Sequence, residues 1–233
     1  MRFASVSLLS LAVVATAATA QDMSTKVTDG GIKIAGWMAR VDASRENASL
    51  TEKDAKLEAM GSGMHVTTGP AITYYNPANM ASGNYTVKAT FTEPKFRGLN
   101  NHAHPYGIMI GGNDLGTPNA SMLYCSAYGT GNFIVRGFAP GTENGTFQLS
   151  GRRPTPHDAI KKAAGVGQTV TNEVAITVSA DKVDCAVNGT VVGSYNKSDV
   201  VGAGKLKSTD GVYGIRFGHN TEAHIAGFTM TKM

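Results

Sequence analysis

Apolar and polar residues alternate in short stretches along most of the chain, and turn-forming residues separate the stretches. Between Asn84 and Thr92, Tyr85, Val87, Ala89 and Phe91 fall on one face while Thr86, Lys88 and Thr90 fall on the other. That period of two predicts a half-buried strand. Residues 174–179 and 182–187 read the same way around a tight Ala180-Asp181 turn. Asn188-Gly189 then leads into a strand over 191–195, and Asn-Gly between strands favours a type I′ hairpin, which needs positive φ at both central residues. Asp210-Gly211 introduces 212–217, and 223–230 closes the chain. Upstream, 32–38, 64–67, 71–75, 106–110, 122–127, 133–138 and 146–149 read as further strands. About a dozen short strands at this spacing predict an all-β antiparallel sandwich or barrel.

Helix signals are thin. Residues 51–60 have helix-forming composition without a long apolar stripe, and 157–164 has room for two turns. No βαβ alternation appears, which argues against a parallel sheet with nucleotide-binding loops. The first twenty residues form a different kind of segment. Arg2 is followed by an apolar or small-residue run from Ala4 to Ala20, which ends Ala18-Thr19-Ala20 before the polar Gln21. A basic start, a short apolar run and a small-x-small site describe a secretory signal peptide. The expected organisation is therefore a signal peptide over 1–20, cleaved near Ala20, and one β-sandwich domain over 21–233. Such a chain is exported, secreted or periplasmic, with no membrane span left after cleavage. The net charge of +4 comes from scattered basic residues, which build no nucleic-acid groove. Two cysteines exclude a disulfide-rich scaffold and a four-Cys zinc site. Export permits Cys125 and Cys185 to pair, but two buried thiols would read identically.

The chemistry is defined first by what is missing. A retaining glycosidase needs two carboxylates about 5–5.5 Å apart. No two-apart acidic pair falls in a convincing strand, and no E-x-D-x-E run exists. Serine-nucleophile elbows, H-E-x-x-H and phosphate loops are absent as well. His102-x-His104 has the spacing to share a divalent metal, with Asp114 or His219 as a third ligand. Its neighbours Asn100, Asn101 and Pro105 instead read as a loop, so no cofactor is expected. Tyr124, Ser126 and Tyr128 alternate with Leu123, Cys125 and Ala127, so one set faces a core and the other a sheet surface. Tyrosines turned outward on a concave sheet would stack on sugar faces, with Arg136, Arg216 and His219 as added donors. The alternative is packed tyrosines and solvated arginines. Trp37, near Ile32 and Ile34, reads as a core residue of an early strand.

The C-terminal segments carry a resemblance. Asn172-Glu173-Val174-Ala175-Ile176-Thr177-Val178, Asp181-Lys182-Val183 and Val187-Asn188-Gly189-Thr190-Val191-Val192 are similar to the terminal hairpins of concanavalin A-like jelly rolls. Asp210-Gly211-Val212-Tyr213-Gly214-Ile215-Arg216 and Ile225-Ala226-Gly227-Phe228-Thr229-Met230 resemble the end of the same domain. Upstream, Gly83-x-Tyr85-x-Val87-x-Ala89-x-Phe91 and Tyr106-Gly107-Ile108-Met109-Ile110-Gly111-Gly112 occupy matching places. The chain thus resembles secreted bacterial jelly rolls of the DUF1080 type, a group named for 3-keto-disaccharide hydrolases, over roughly residues 37–230. The resemblance implies a two-sheet antiparallel jelly roll and a carbohydrate ligand. It leaves three readings: a carbohydrate-binding or glycan-processing module, a hydrolase of 3-keto-glycosides, or a structural envelope protein. In the hydrolase, His102, His104, Arg136 and His219 would supply the base and the carbonyl-polarising group. In the binding module, Tyr124, Tyr128, Arg136, Arg216 and His219 would hold the sugar.

Overall fold

The computed structural model describes residues 23–43, 49–98, 104–140 and 146–233. The signal-peptide segment and His102 lie outside the described residues. Two sheets hold nearly all of the regular structure. Sheet A runs in the order β1 (Gly31–Ile32), β3 (Lys56–Met60), β4 (Gly63–Thr67), β16 (Glu222–Lys232), β6 (Tyr85–Glu93), β12 (Val170–Val178), β13 (Lys182–Val187), β14 (Thr190–Asn196). Sheet B runs β10 (Thr146–Gln148), β9 (Asn132–Phe138), β8 (Ser121–Tyr128), β7 (Tyr106–Asn113), β15 (Gly211–Phe217), β5 (Ile72–Ala81), β2 (Met38–Val41), with β11 (Thr155–Pro156) also on β9. Every pairing within the sheets is antiparallel except β1 on β3. The chain crosses between sheets at β1–β2, β2–β3, β4–β5, β5–β6, β6–β7, β11–β12, β14–β15 and β15–β16, which layers one sheet on the other.

Period-two patterning places the core between these layers. Tyr85, Val87, Ala89 and Phe91 of β6 are buried and face Tyr106, Ile108, Leu123, Ile215 and Phe217 of sheet B. Phe91 stacks on Tyr106 with ring centroids 5.4 Å apart and meets Phe217 edge-on at 6.0 Å. Cys125 of β8 is joined to Cys185 of β13 by a disulfide, with Cα atoms 6.0 Å apart, so one covalent bond ties the two sheets. The bond also settles which face of β8 is internal: Leu123, Cys125 and Ala127 point to the core.

The Asn188-Gly189 turn has φ of 51° and 80°, as a type I′ hairpin requires. Asn188 adds a role that the dipeptide does not show. Its side-chain amide donates to the Ala159 carbonyl and to Asn172 Oδ1, both at 2.8 Å, and its Oδ1 accepts from the Glu173 N–H at 2.9 Å. Elsewhere tertiary packing overrides composition. Residues 51–60 form a single 3-10 turn at Glu52–Asp54, capped by Thr51, and then β3, because pairing with β4 buries Leu57 in the core. No helix forms over 157–164, and among the described residues the one α-helical turn is α1 (Lys197–Val200), which buries Val200. Trp37 sits between β1 and β2 rather than in a strand, partly buried against Phe228 at 5.9 Å. Among the described residues, no helix is long and apolar enough to cross a membrane.

Candidate functional site

The far face of sheet B, turned away from the disulfide, carries the second cluster of buried side chains. Strand register sets it out in rows. Arg40, Thr73, Arg216, Gly107, Ser126 and Ile134 stand side by side across six strands. The adjacent row is Tyr75, Gly214, Met109, Tyr124, Arg136 and Gln148. Tyr124 and Tyr128 therefore do face outward, as a set with Arg136 and Arg216.

This face is curled into a trough. In a flat sheet β2 and β9, five strand spacings apart, would be separated by about 24 Å, beyond the combined reach of two side chains. Yet the Arg40 guanidinium carbon lies 5.0 Å from the ring centroid of Phe138 on β9, and that of Arg216 lies 5.7 Å from the same ring. The sheet must bend toward its outer face to bring them together. The same curl packs the trough floor: Tyr124 is 6% exposed and Tyr128 8%. The tyrosines are thus floor residues, not free-standing platforms. Burial raises the phenol pKa of both, so they stay protonated donors.

Arg216 is not a solvated arginine either. Its Nη1 donates to Asp42 Oδ1 at 2.7 Å and to Thr73 Oγ1 at 3.3 Å, and its Nη2 pairs with Asp42 Oδ2. The guanidinium carbon also lies 5.0 Å from the Tyr124 ring centroid. Burial alone would pull the Arg216 pKa down, but Asp42 outweighs it and the net shift is upward. Arg40, 3.8 Å from the same carboxylate, shifts the other way: burial lowers it, Asp42 opposes, and Arg216 adds repulsion. One carboxylate thus serves two arginines. The sequence offered a signal for this pair in Arg40-x-Asp42, two residues apart and hence on one side of an extended chain, but Arg216 is 174 positions away from Asp42.

Four polar atoms of the trough lack a hydrogen-bond partner among the described residues: Arg40 Nη1, Ser126 Oγ, Arg136 Nε and Gln148 Oε1. Arg136 is otherwise held by its Nη2, which donates to the Arg152 carbonyl. All four belong to the two neighbouring rows. A buried polar group left unpaired costs about 1–3 kcal/mol, so such groups ordinarily find a partner, water included. Among the described residues, no strand of sheet B contains an Asp or Glu, and Asp42 pairs with Arg216.

The histidines are placed differently. His104 precedes β7, is buried, and meets His219 edge-on at 4.8 Å. His219 Nδ1 is 3.3 Å from Ser24 Oγ in the N-terminal segment. The two rings belong to the end of the sandwich rather than to the rows of the trough. Asp114 cannot complete a metal site with His104, because it follows the opposite end of β7, about 30 Å along the strand, and pairs there with Lys207.

No protein-family model matches the chain, and no curated protein does. Among solved structures it is similar to a GH16 protein of a Bacteroides ovatus mixed-linkage glucan locus, in complex with a G4G4G3G product. That likeness has a TM-score of 0.52 and 10% identity over 91% of this chain and 98% of that one. It is similar to the carbohydrate-binding module CBM66 from Bacillus subtilis at a TM-score of 0.51 and 9% identity, over 86% of this chain and 98% of that one. A Bacillus subtilis protein of unknown function with a galectin-like fold gives a TM-score of 0.50 and 11% identity, over 84% and 89%. At such identities the likeness is one of fold: the chain is a jelly-roll β-sandwich of the concanavalin A-like and galectin-like kind.

Proposed function

We propose that this chain is an exported carbohydrate-binding module, and that its ligand lies in the trough of sheet B. The observation that carries the reading is the set of polar atoms on Ser126, Arg136 and Gln148 with no hydrogen-bond partner among the described residues, beside Arg40 and the rings of Tyr124, Tyr128 and Phe138. A sugar offers hydroxyls that both donate and accept, and an apolar ring face that packs on aromatic surface. Arg136 supplies a fixed donor, Gln148 an acceptor, and Ser126 either. Two of the similar structures are named for carbohydrate binding or a glucan product, which agrees with this reading. Export rests on Arg2, the apolar run and the Ala18-Thr19-Ala20 site. The reading asks for no acid–base pair, and among the described residues the strands of sheet B hold no Asp or Glu.

The test is a glycan array followed by calorimetry with the best ligand, on wild type, Arg136→Ala and Gln148→Ala. Each substitution is expected to weaken binding about tenfold or more, the effect of losing one charge-assisted or buried hydrogen bond, with the melting temperature little changed. No ligand on the array, or one bound equally by both variants, would sink the proposal. Cleavage of a 3-keto-disaccharide by wild type, lost in His104→Ala, would favour the hydrolase instead.

A further inference from the structure

We infer that the outer face of sheet A carries a second site, for a divalent transition metal such as zinc, built from His65, His224 and Glu222. Nothing in the linear sequence joins these residues, because His65 and Glu222 are 157 positions apart. Strand register does. In β4, Met64 and Val66 are buried in the core and His65 points the other way; in β16, Ala223 and Ile225 are buried and Glu222 and His224 point the other way. His224 stands directly opposite His65, and Glu58 of β3 stands opposite His65 on its other side. Glu222, two residues before His224, is diagonal to His65.

The distances suit an ion. One ligand atom from each of His65, Glu222 and His224 can be chosen so that all lie within 4.8 Å of one another. His65 Nε2 and Glu222 Oε1 are 3.3 Å apart. Bonds of about 2.0–2.1 Å to a tetrahedral zinc would place two ligand atoms about 3.3–3.4 Å apart, so this pair spans one tetrahedron edge without moving. The His224 ring is already edge-on to His65 at 5.0 Å between centroids, and a small rotamer adjustment closes the third side.

The other face of the His65 ring is organised in the same sense. Nδ1 lies 3.1 Å from Glu58 Oε1, so with an ion bound the Nδ1 proton would be held by that carboxylate and the Nε2 lone pair would be free for the ion beside Glu222. That carboxylate–imidazole arrangement is the usual outer-shell support of a metal-binding histidine. Glu58 is steadied in turn by Lys56 Nζ at 3.0 Å. The side chains of His65 and Glu222 keep 23% and 34% of their surface, enough for an ion to enter and for water to fill a fourth position. Two imidazoles and one carboxylate select zinc, cobalt, nickel or copper over calcium and magnesium, which prefer oxygen alone. Occupied, the site would pin β16, the last strand, to β4.

The experiment uses the tag-free full chain after chelator dialysis. Zinc titration by calorimetry is expected to give one ion per chain, and Co²⁺ to give the intense visible absorption of a tetrahedral nitrogen–oxygen site. Thermal melting should rise with added zinc. His224→Ala and Glu222→Gln should each weaken zinc binding by about tenfold or more, and Glu58→Gln by about 10–100-fold, the range for outer-shell partners. All three should melt like wild type in the absence of metal, which separates lost binding from lost folding. Absence of a saturable one-to-one event in wild type would overturn the site. So would binding unchanged in His224→Ala but abolished in His104→Ala, which would move the metal to the histidines at the end of β7.

Discussion

The two sheets share one core and differ completely on their outer faces. On sheet A that face is polar and open. Thr86 bonds Thr177 and Thr92 bonds Thr171, each at 2.9 Å, and Lys88 reaches Glu173 at 3.2 Å. On sheet B the outer face is closed: all eight residues of β8 are buried. An antiparallel sheet is free to leave one face in water, as sheet A does. Burying the second face costs desolvation of Arg40, Asp42, Arg216 and two tyrosines, and only a concave, crowded surface makes that arrangement hold. The polar atoms without a hydrogen-bond partner there are the ones on which the proposed sugar site rests.

The largest expected effect tests that difference. Asp42→Ala removes the carboxylate that pairs with Arg216 and leaves a buried guanidinium without that compensation. Breaking one side of such a pair costs about 3–5 kcal/mol, to be read as a lowered midpoint in urea unfolding. A loss under about 1 kcal/mol would mean that the trough is wet and Arg216 is solvated, and the contrast between the sheets would fail.

Legibility in the sequence follows the same divide. The central strands β6 and β12 of sheet A could be read residue by residue, because alternation survives where one face meets water, and both show it from end to end. In β7, β8 and β9 both faces are buried, so Met109, Tyr124 and Ile134 look no less core-like than Ile108, Cys125 and Val135. The sequence pointed to two alternating sets on β8, but the Cys125–Cys185 bond was needed to say which was internal. β3 was missed because Lys56, Glu58 and Ala59 favour a helix in isolation, and what makes them a strand is β4 alongside. The Tyr124–Arg136–Arg216 grouping was legible from strand placement. Asp42, Gln148 and the His65–His224 pair were not, since cross-strand register over long separations decides them.

A second effect distinguishes carboxylates on the two sides of β6 and its partner. Glu93 is 2% exposed at the end of β6, and burial raises its pKa from 4.5 to about 7, opposed by the Arg97 amide. Its native state therefore holds a proton more tightly than the unfolded chain. Stability from this group is complete below about pH 4.5 and is lost as pH rises through 7, a change of about 3 kcal/mol at about 1.4 kcal/mol per pKa unit. Glu93→Gln should abolish that slope and make the protein more stable than wild type at pH 8. An unfolding free energy with the same pH dependence in both proteins would place the titrating group elsewhere.

Smaller still is the hairpin at the far edge of sheet A. Replacing Asn188-Gly189 by Ala-Ala forces two side-chain-bearing residues into positive φ and deletes the Asn188 amide bonds to Ala159 and Asn172. The expected loss is about 1–3 kcal/mol in chemical denaturation. Asn188→Gly, which keeps the backbone conformation accessible, separates the two contributions: recovery of most of the loss assigns it to φ, and little recovery assigns it to the amide.

The smallest effect is the counterpart of Asp42→Ala on the open face. Lys88 and Glu173 stand on β6 and β12 with side chains 48% and 35% exposed, and their ions are 3.2 Å apart. The geometry is no worse than that of many buried pairs, but water screens the charges, and fixing two flexible side chains costs entropy. Lys88→Ala should therefore change stability by less than about 1 kcal/mol, and the residual effect should shrink further in 1 M salt, where the Debye length is about 3 Å. Unfolding curves at low and high salt measure both parts. A salt-insensitive loss of about 3 kcal/mol would show that the outer face of sheet A is as dry as the trough, and the two sheets would then differ in composition without differing in environment.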